Sequence, residues 1–197
     1  VGKFNILTKK VEHFELQNLA ALPIFLNAGV NGTIWGTELQ GNAILNVNTS
    51  GQVSEYTIST SNSRPIAVIP GPTTNYMWFT EEAGVKIGKI DAEGNITEFP
   101  VPALQKNAII ASLAFDQENN LWVQVYVDHN NPNTEGNDYM IKFDKSIVEA
   151  KSLNDVPFEL HYLPSKGSMM HRIKLGKDGN LWFTEMMTDL LGKVTIS

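Results

Sequence analysis

The chain repeats a short text around its four tryptophans, and this periodicity restricts the fold more than any other feature. The tryptophans are Trp35, Trp78, Trp122 and Trp182, which are separated by 43, 44 and 60 residues. Three of them are followed closely by Thr-Glu, as in Trp-Gly-Thr-Glu at 35–38 and Trp-Phe-Thr-Glu at 78–81 and 182–185. A self-similar period of this length indicates an array of equal structural units rather than one irregular core.

Each repeat contains short segments that alternate apolar and polar residues, with Gly, Asn or Asp between them. The segments are rich in β-branched and aromatic residues, which is typical of strands joined by hairpins. Four strands in a period of about 43 residues indicate a β-propeller blade. No segment has helical periodicity. The sequence therefore predicts an all-β propeller of four-stranded blades, with the tryptophans packed between the blades.

The repeats divide the chain into one propeller domain over residues 1–197, with blade units near 1–16, 22–58, 64–102, 108–164 and 169–197. The first unit corresponds to the last two strands of a blade, and the final unit to the first three. Because the third strand of a blade occurs at both ends, a small closed ring is unfavourable. We expect about four to five blades that belong to a larger ring, completed by a missing segment or a second chain through open strand edges.

Composition excludes several classes of function. The formal net charge is −6 and there is no basic run, so nucleic acid is not an expected partner. No apolar stretch reaches the roughly 18–20 residues of a membrane span, so we expect a soluble protein without a membrane partner. The absence of cysteine excludes disulfides, thiol catalysis and cysteine-ligated metals. The compartment, secreted or cytoplasmic, stays open, as does glycosylation at Asn31, Asn48 and Asn95.

One pair of residues is placed symmetrically about the tight turn at 177–180. His171 and Glu185 lie seven residues on either side of Asp178, so we expect them to be near neighbours across two antiparallel strands. The first strand of a blade lines the central channel of a propeller. The sequence therefore predicts a catalytic pair at the channel mouth, a histidine general base and a carboxylate.

Further polar residues are predicted ligand-binding positions at the same mouth. Glu38 and Glu81 end their strands as Glu185 does, and three converging carboxylates raise one another's pKa or recruit a cation. The alternative is that each Glu belongs to the repeat and hydrogen-bonds a neighbouring blade. Arg64 and Arg172 flank the mouth and can hold an anionic group. His129 lies in a polar insertion over 128–138, which is either a lid or a loop without a role.

The text Gly-x-Asp-Gly-Asn-Leu-Trp-Phe-Thr-Glu at 176–185 resembles the virginiamycin B (streptogramin B) lyase family. So does the text at 86–102, Lys-Ile-Gly-Lys-Ile-Asp-x-x-Gly-x-Ile-Thr-Glu-Phe-Pro-x-Pro. The resemblance implies a seven-bladed propeller, of which this chain supplies a little over half. It also implies a magnesium-dependent elimination that opens a cyclic depsipeptide at its ester bond without hydrolysis.

The resemblance assigns roles to two residues and departs at two others. It implies that His171 is catalytic and that Glu185 binds Mg²⁺. The family's second metal-binding glutamate falls on Met169, and a further family histidine falls on Ala111. Two functions therefore stay open, because propellers host both. One is a lyase-like enzyme acting on a compact natural product at the channel mouth, and the other is a non-catalytic propeller that binds a small molecule or a protein.

Overall fold

The computed structural model describes residues 1–73, 75–102, 105–128 and 136–196, and its strands form five antiparallel sheets. The N-terminal hairpin contains β1 (Gly2–Phe4) and β2 (Val11–His13). The first full sheet contains β3 (Pro23–Ala28), β4 (Ile34–Glu38), β5 (Ala43–Val47) and β6 (Val53–Thr57). The second contains β7 (Pro65–Pro70), β8 (Tyr76–Glu81), β9 (Lys86–Asp91) and β10 (Ile96–Pro100).

The third full sheet contains β11 (Ala108–Phe115), β12 (Leu121–Val127), β13 (Tyr139–Phe143) and β14 (Phe158–Tyr162). The last sheet has three strands, β15 (Met170–Leu175), β16 (Leu181–Glu185) and β17 (Leu190–Val194). Within the described ranges the helical elements are two 3₁₀ turns, Val30–Gly32 and Lys145–Glu149. No helix there is long and apolar enough to cross a membrane.

The sheets are arranged as the blades of a propeller. In every full sheet the strands follow one another in chain order, so each sheet is a meander. The first strands of neighbouring sheets pack together, β3 against β7, β7 against β11 and β11 against β15. These strands therefore line the centre of the arrangement, and the predicted all-β propeller fold is confirmed.

The cores lie between the blades because each strand exposes alternate residues to its two faces. Trp35, Trp78 and Trp122 are buried, each in a separate apolar cluster between neighbouring sheets. Trp182 occupies the same register in the last sheet but is 36% exposed. The prediction that the tryptophans pack between blades is therefore confirmed for three of them and wrong for Trp182, which no further blade covers in the described part of the chain.

Asp-initiated turns close the hairpins between first and second strands in the third full sheet and the last sheet. The carboxylate of Asp116 accepts hydrogen bonds from the backbone N–H of Asn120 (2.9 Å) and from the indole N–H of Trp122 (2.9 Å). Asp178 accepts from the Trp182 indole in the same way (3.1 Å). Each such turn therefore fixes the register of its tryptophan as well as the hairpin.

Candidate functional site

A β-bulge interrupts the first strand of every full sheet and of the last sheet near the strand's N-terminal end. In the last sheet the regular pairing breaks between Met170 and Arg172, and Glu185 pairs with Met170. His171 lies in the bulge itself, one residue beyond Met170, the observed partner of Glu185. The predicted symmetric pairing of His171 with Glu185 is therefore off by one residue, because the extra residue of a bulge shifts the register.

The same break occurs in the other blades. Glu38 pairs with Pro23 and Glu81 with Pro65, with the bulge following each proline. In the third full sheet the break lies between Ile110 and Leu113. A bulge re-aims the side chains next to it, and bulges are over-represented beside active sites. His171 therefore lies in a bulge that recurs near the start of the first strand in the other blades.

A residue with a left-handed backbone conformation directly precedes each bulged strand and forms a corner at the same end of the blade. These corner residues have φ values between 48° and 63° and are Leu22, Arg64, Asn107 and Met169. The carbonyl of Arg64 accepts the N–H of Glu82 (3.1 Å), and that of Met169 accepts the N–H of Met186 (3.3 Å). In these two sheets the end of the second strand is thereby tied to the start of the first, at the end of the blade where the corners lie.

His171 is half-buried and in contact with its neighbour Arg172. The Arg172 Nη1 lies 2.7 Å from the imidazole Nδ1 and also donates to the His171 carbonyl oxygen (2.9 Å). A guanidinium has only donors, so Nδ1 accepts and the neutral imidazole carries its proton on Nε2. Burial, and then the charge of Arg172, lower the pKa of His171, although Glu82 opposes them. His171 is therefore a neutral imidazole near pH 7.

The rim beside His171 carries a polar network that the sequence reasoning missed. Glu82 accepts from the Arg64 Nε (2.8 Å) through one carboxylate oxygen and from the Tyr126 hydroxyl (3.3 Å) through the other. Burial, and then the charge of Glu82, raise the pKa of Tyr126. Glu82 and Tyr126 each directly follow the last position of the repeated second-strand sequence. This shared position in the repeat is the sequence signal that could have identified them.

Glu38 and Glu81 do not line the mouth. Both carboxyls are fully buried, and the acidic groups that act on them are Glu55 and Glu98, in the fourth strands of the same sheets. Burial first, and then the neighbouring carboxyl, raise the pKa of Glu38 to about 7 and that of Glu81 to about 8. The prediction that three glutamates converge on the mouth is therefore corrected for Glu38 and Glu81, because solvent does not reach their buried carboxyls.

The donor set around Glu185 does not fit the Mg²⁺ that the resemblance implies. Glu185 is 6% exposed, and its carboxylate accepts from the Thr188 hydroxyl (3.0 Å). Met169 stands where a second carboxylate is needed. Within the described residues no group of three His, Cys, Asp or Glu side chains is placed to hold a metal ion. Mg²⁺ prefers octahedral oxygen ligands, and one carboxylate beside a thioether supplies too few.

His129, the remaining predicted ligand-binding residue, lies outside the described residues. The insertion that carries it is described only at its ends. A separate groove of about 630 Å³ lies between the N-terminal hairpin and the first full sheet, lined by Lys3, Phe14, Leu26 and Ile34 among others. It contains none of the mouth residues, so its size alone does not make it the chemical site.

Comparison with known proteins supports the relationship that the repeat indicated. The sequence model of the Virginiamycin B lyase family matches residues 1–146, a range that ends before His171 and Glu185. A virginiamycin B lyase from Nocardia farcinica (strain IFM 10152) is 32% identical over 81 residues, which are 41% of this chain and 28% of that protein.

Solved structures agree on the fold. The selenomethionine-substituted virginiamycin B lyase from Staphylococcus aureus has a TM-score of 0.76 and 24% identity, over 99% of this chain and 62% of that one. A catalytically inactive variant of the S. aureus enzyme, solved with quinupristin, has a TM-score of 0.62 and 24% identity, over 98% and 73%. This chain thus spans less than a third of the curated relative and about three fifths of the first of these structures. It belongs to the virginiamycin B lyase family.

Proposed function

We propose that this chain carries the mouth of a lyase-like propeller enzyme that opens a compact cyclic substrate at an ester bond by elimination. The observation that carries the proposal is the neutral, half-buried His171, which lies in the bulge of β15, the first strand of the last blade. Family membership supports the reaction class. A natural product of the cyclic depsipeptide kind is the proposed substrate class.

The proposed chemistry needs proton transfer but no water. In an elimination of this kind, a base accepts a proton from the carbon next to the C–O bond, a carbon–carbon double bond forms and the ester oxygen departs as a carboxylate. His171 is the proposed base, and its Nδ1 accepts this proton once Arg172 no longer donates to it. An imidazole that is neutral at working pH is the side chain best matched to proton transfer. Glu185, the second proposed catalytic residue, is buried one register position from His171, and its carboxylate accepts from the Thr188 hydroxyl.

A second candidate function is ligand binding without chemistry. Two observations favour it: Arg172 already occupies the Nδ1 of His171, and the metal donor set is incomplete. A binding propeller needs only the shape and polarity of the mouth, whereas a lyase also needs a free proton acceptor. Both candidates place the ligand at the same end of the channel.

Incubation with quinupristin, followed by chromatography and intact-mass spectrometry, separates the candidates. A lyase converts the substrate to a linear product of unchanged mass and different retention. Hydrolysis would add the mass of one water. Recovery of unchanged quinupristin, with saturable binding by calorimetry, would favour the binding propeller over the enzyme.

The variant His171→Ala tests the residue itself. We expect the rate of ring opening to fall by at least roughly 10²-fold, as for the loss of a general acid or base, while the unfolding midpoint changes little. His13→Ala is the matched control, because His13 is exposed in the N-terminal hairpin. Equal rates in wild type and His171→Ala would remove His171 from the mechanism.

A further inference from the structure

Arg172 is a half-buried cation that has no carboxylate partner in the described part of the chain. Burial lowers the pKa of Arg172, and no acidic group offsets that burial. The contrast is Arg64, whose guanidinium is paired with Glu82 at 2.8 Å. An unpaired charge taken out of water is unfavourable unless another group compensates it. No acidic side chain in the described part of the chain compensates this charge, so an anionic group that enters from outside it meets an unpaired cation here.

Two aromatic contacts hold the guanidinium in a defined orientation at the centre of the blades. The His171 imidazole accepts from Nη1, and the ring of Phe25 lies 5.4 Å from the guanidinium carbon. Phe25 belongs to the first full sheet and Arg172 to the last sheet, so the side chain reaches across the central region. A guanidinium that lies over a ring and is bonded at one edge has little rotational freedom left to lose on binding a ligand.

The free edge of this guanidinium matches a carboxylate. The two Nη1 donors are directed to Nδ1 and to the backbone carbonyl of His171, which leaves Nε and Nη2 unused by the described residues. These two nitrogens form the fork that binds a carboxylate through two parallel hydrogen bonds. A point charge such as Lys, or a metal ion, would not impose that planar geometry.

We infer that Arg172 anchors a carboxylate group of the ligand in the channel, at a mouth where the residues around Glu185 do not fit a magnesium ion. The ring of Phe25 and the backbone carbonyl of His171 position this anchor. The inference rests on the proposed function only in that the ligand enters this mouth. An elimination that opens an ester releases a carboxylate, so the anchor suits the product and the developing charge that leads to it.

Nuclear magnetic resonance of the arginine Nε–H groups in the whole chain tests the anchor with acetate as the probe. Sodium acetate is titrated against sodium chloride at constant ionic strength, and magnesium chloride is titrated separately. We expect acetate to shift the Arg172 Nε–H saturably, and Mg²⁺ to leave the His171 and Glu185 signals unchanged. The Arg64 Nε–H, already bonded to Glu82, is the internal control and should not respond saturably.

Variants then assign the site. Arg172→Gln should weaken acetate binding at least tenfold, Arg172→Lys should retain the charge but lose most of the affinity, and Lys174→Gln, at an exposed position of the same strand, should bind acetate like wild type. The inference is overturned if chloride gives the same shift, if acetate gives none, if Arg172→Gln binds acetate unchanged, or if Mg²⁺ binds saturably at Glu185. Because acetate is not turned over, this result is independent of whether quinupristin is opened.

Discussion

The buried glutamates show how one position in a strand decides the protonation of its side chain. Both carboxyl oxygens of Glu81, like those of Glu38, are buried and accept no hydrogen bond from any donor in the described residues. Two ionised carboxylates cannot hydrogen-bond each other, but a protonated Glu81 can donate to Glu98. Thr60 and Lys86 donate to Glu98 and, against burial, lower the pKa of that carboxyl. The proton of the pair therefore belongs on Glu81.

This arrangement predicts a pH-dependent stability that Glu81→Gln removes. The pKa of Glu81 is about 8 in the fold against 4.5 for the free group. Below pH 4.5 both states are protonated and the free energy of unfolding is unaffected. Between 4.5 and 8 the unfolded chain loses its proton first, so stability falls by about 5 kcal/mol at most, since each pKa unit corresponds to about 1.4 kcal/mol.

Urea denaturation of wild type and Glu81→Gln at several pH values between 5 and 8.5 measures this effect. The variant should show a flatter dependence and exceed wild type in stability near pH 8. Glu159→Gln, at an exposed position, serves as the control. Parallel curves for wild type and Glu81→Gln would show that Glu81 titrates as an ordinary carboxyl.

At the same scale, the sequence indicated His171, Arg64 and Arg172 but not their partners. Local spacing is enough to place a residue at a strand end, so the three were assigned to the mouth. The contact of Glu82 with Tyr126 joins two blades and depends on their relative placement. The Thr-Glu sequence could not predict that the side chains of Glu38 and Glu81 are buried in the blade. A position at the end of a strand does not determine which face of the strand is buried.

At the scale of elements, the hairpins could be predicted and the bulges could not. The Asp and Asn turns and the alternation of residues set the strands, and these signals are local. The bulge between Met170 and Arg172 moves the partner of Glu185 by one position. It lies next to a residue in the left-handed conformation, Met169, and no turn-type residue marks it in the sequence.

A buried lysine connects two neighbouring blades, and its removal should be measurable. The Lys89 Nζ donates to the carbonyls of Val148 (3.2 Å) and Ala150 (3.0 Å) around the 3₁₀ turn, and lies 5.5 Å from the centre of the Trp78 ring. Lys89→Met keeps the apolar stem but leaves both carbonyls unpaired. We expect a loss of about 2 kcal/mol in the free energy of unfolding.

Lys142→Met is the matched control for this clamp. Lys142 occupies the same register over Trp122, at 5.7 Å from the ring, and in the described part of the chain it donates no hydrogen bond to a carbonyl. Its loss should cost only about 0.5 kcal/mol by denaturant titration. Similar losses for the two variants would mean that the carbonyl contacts of Lys89 contribute nothing.

At the scale of the whole molecule, the repeat predicted the propeller because each blade has the same local text and the same two faces. The two incomplete sheets belong to that scale as well. The N-terminal hairpin does not pair with the last sheet, and the surface of the last sheet exposes Trp182, Met187 and Leu191. We propose that another segment or a second copy of the chain covers this surface and its open strand edge.

The 197-residue chain on its own should therefore associate. We expect size-exclusion chromatography with light scattering to give a mass above the 21.8 kDa of one chain at micromolar concentration. Leu191→Lys, in an exposed position of β17, should shift the equilibrium toward the monomer without unfolding the blades. A chain that is monomeric at all concentrations would exclude a second copy of the chain as the cover of this surface.

The most direct test of the account is a crystal structure of the protein soaked with quinupristin. The account predicts electron density for the ligand at the channel mouth, within hydrogen-bond distance of the Arg172 guanidinium and next to His171. Density in the groove of about 630 Å³ beside the N-terminal hairpin, with the mouth empty, would contradict it.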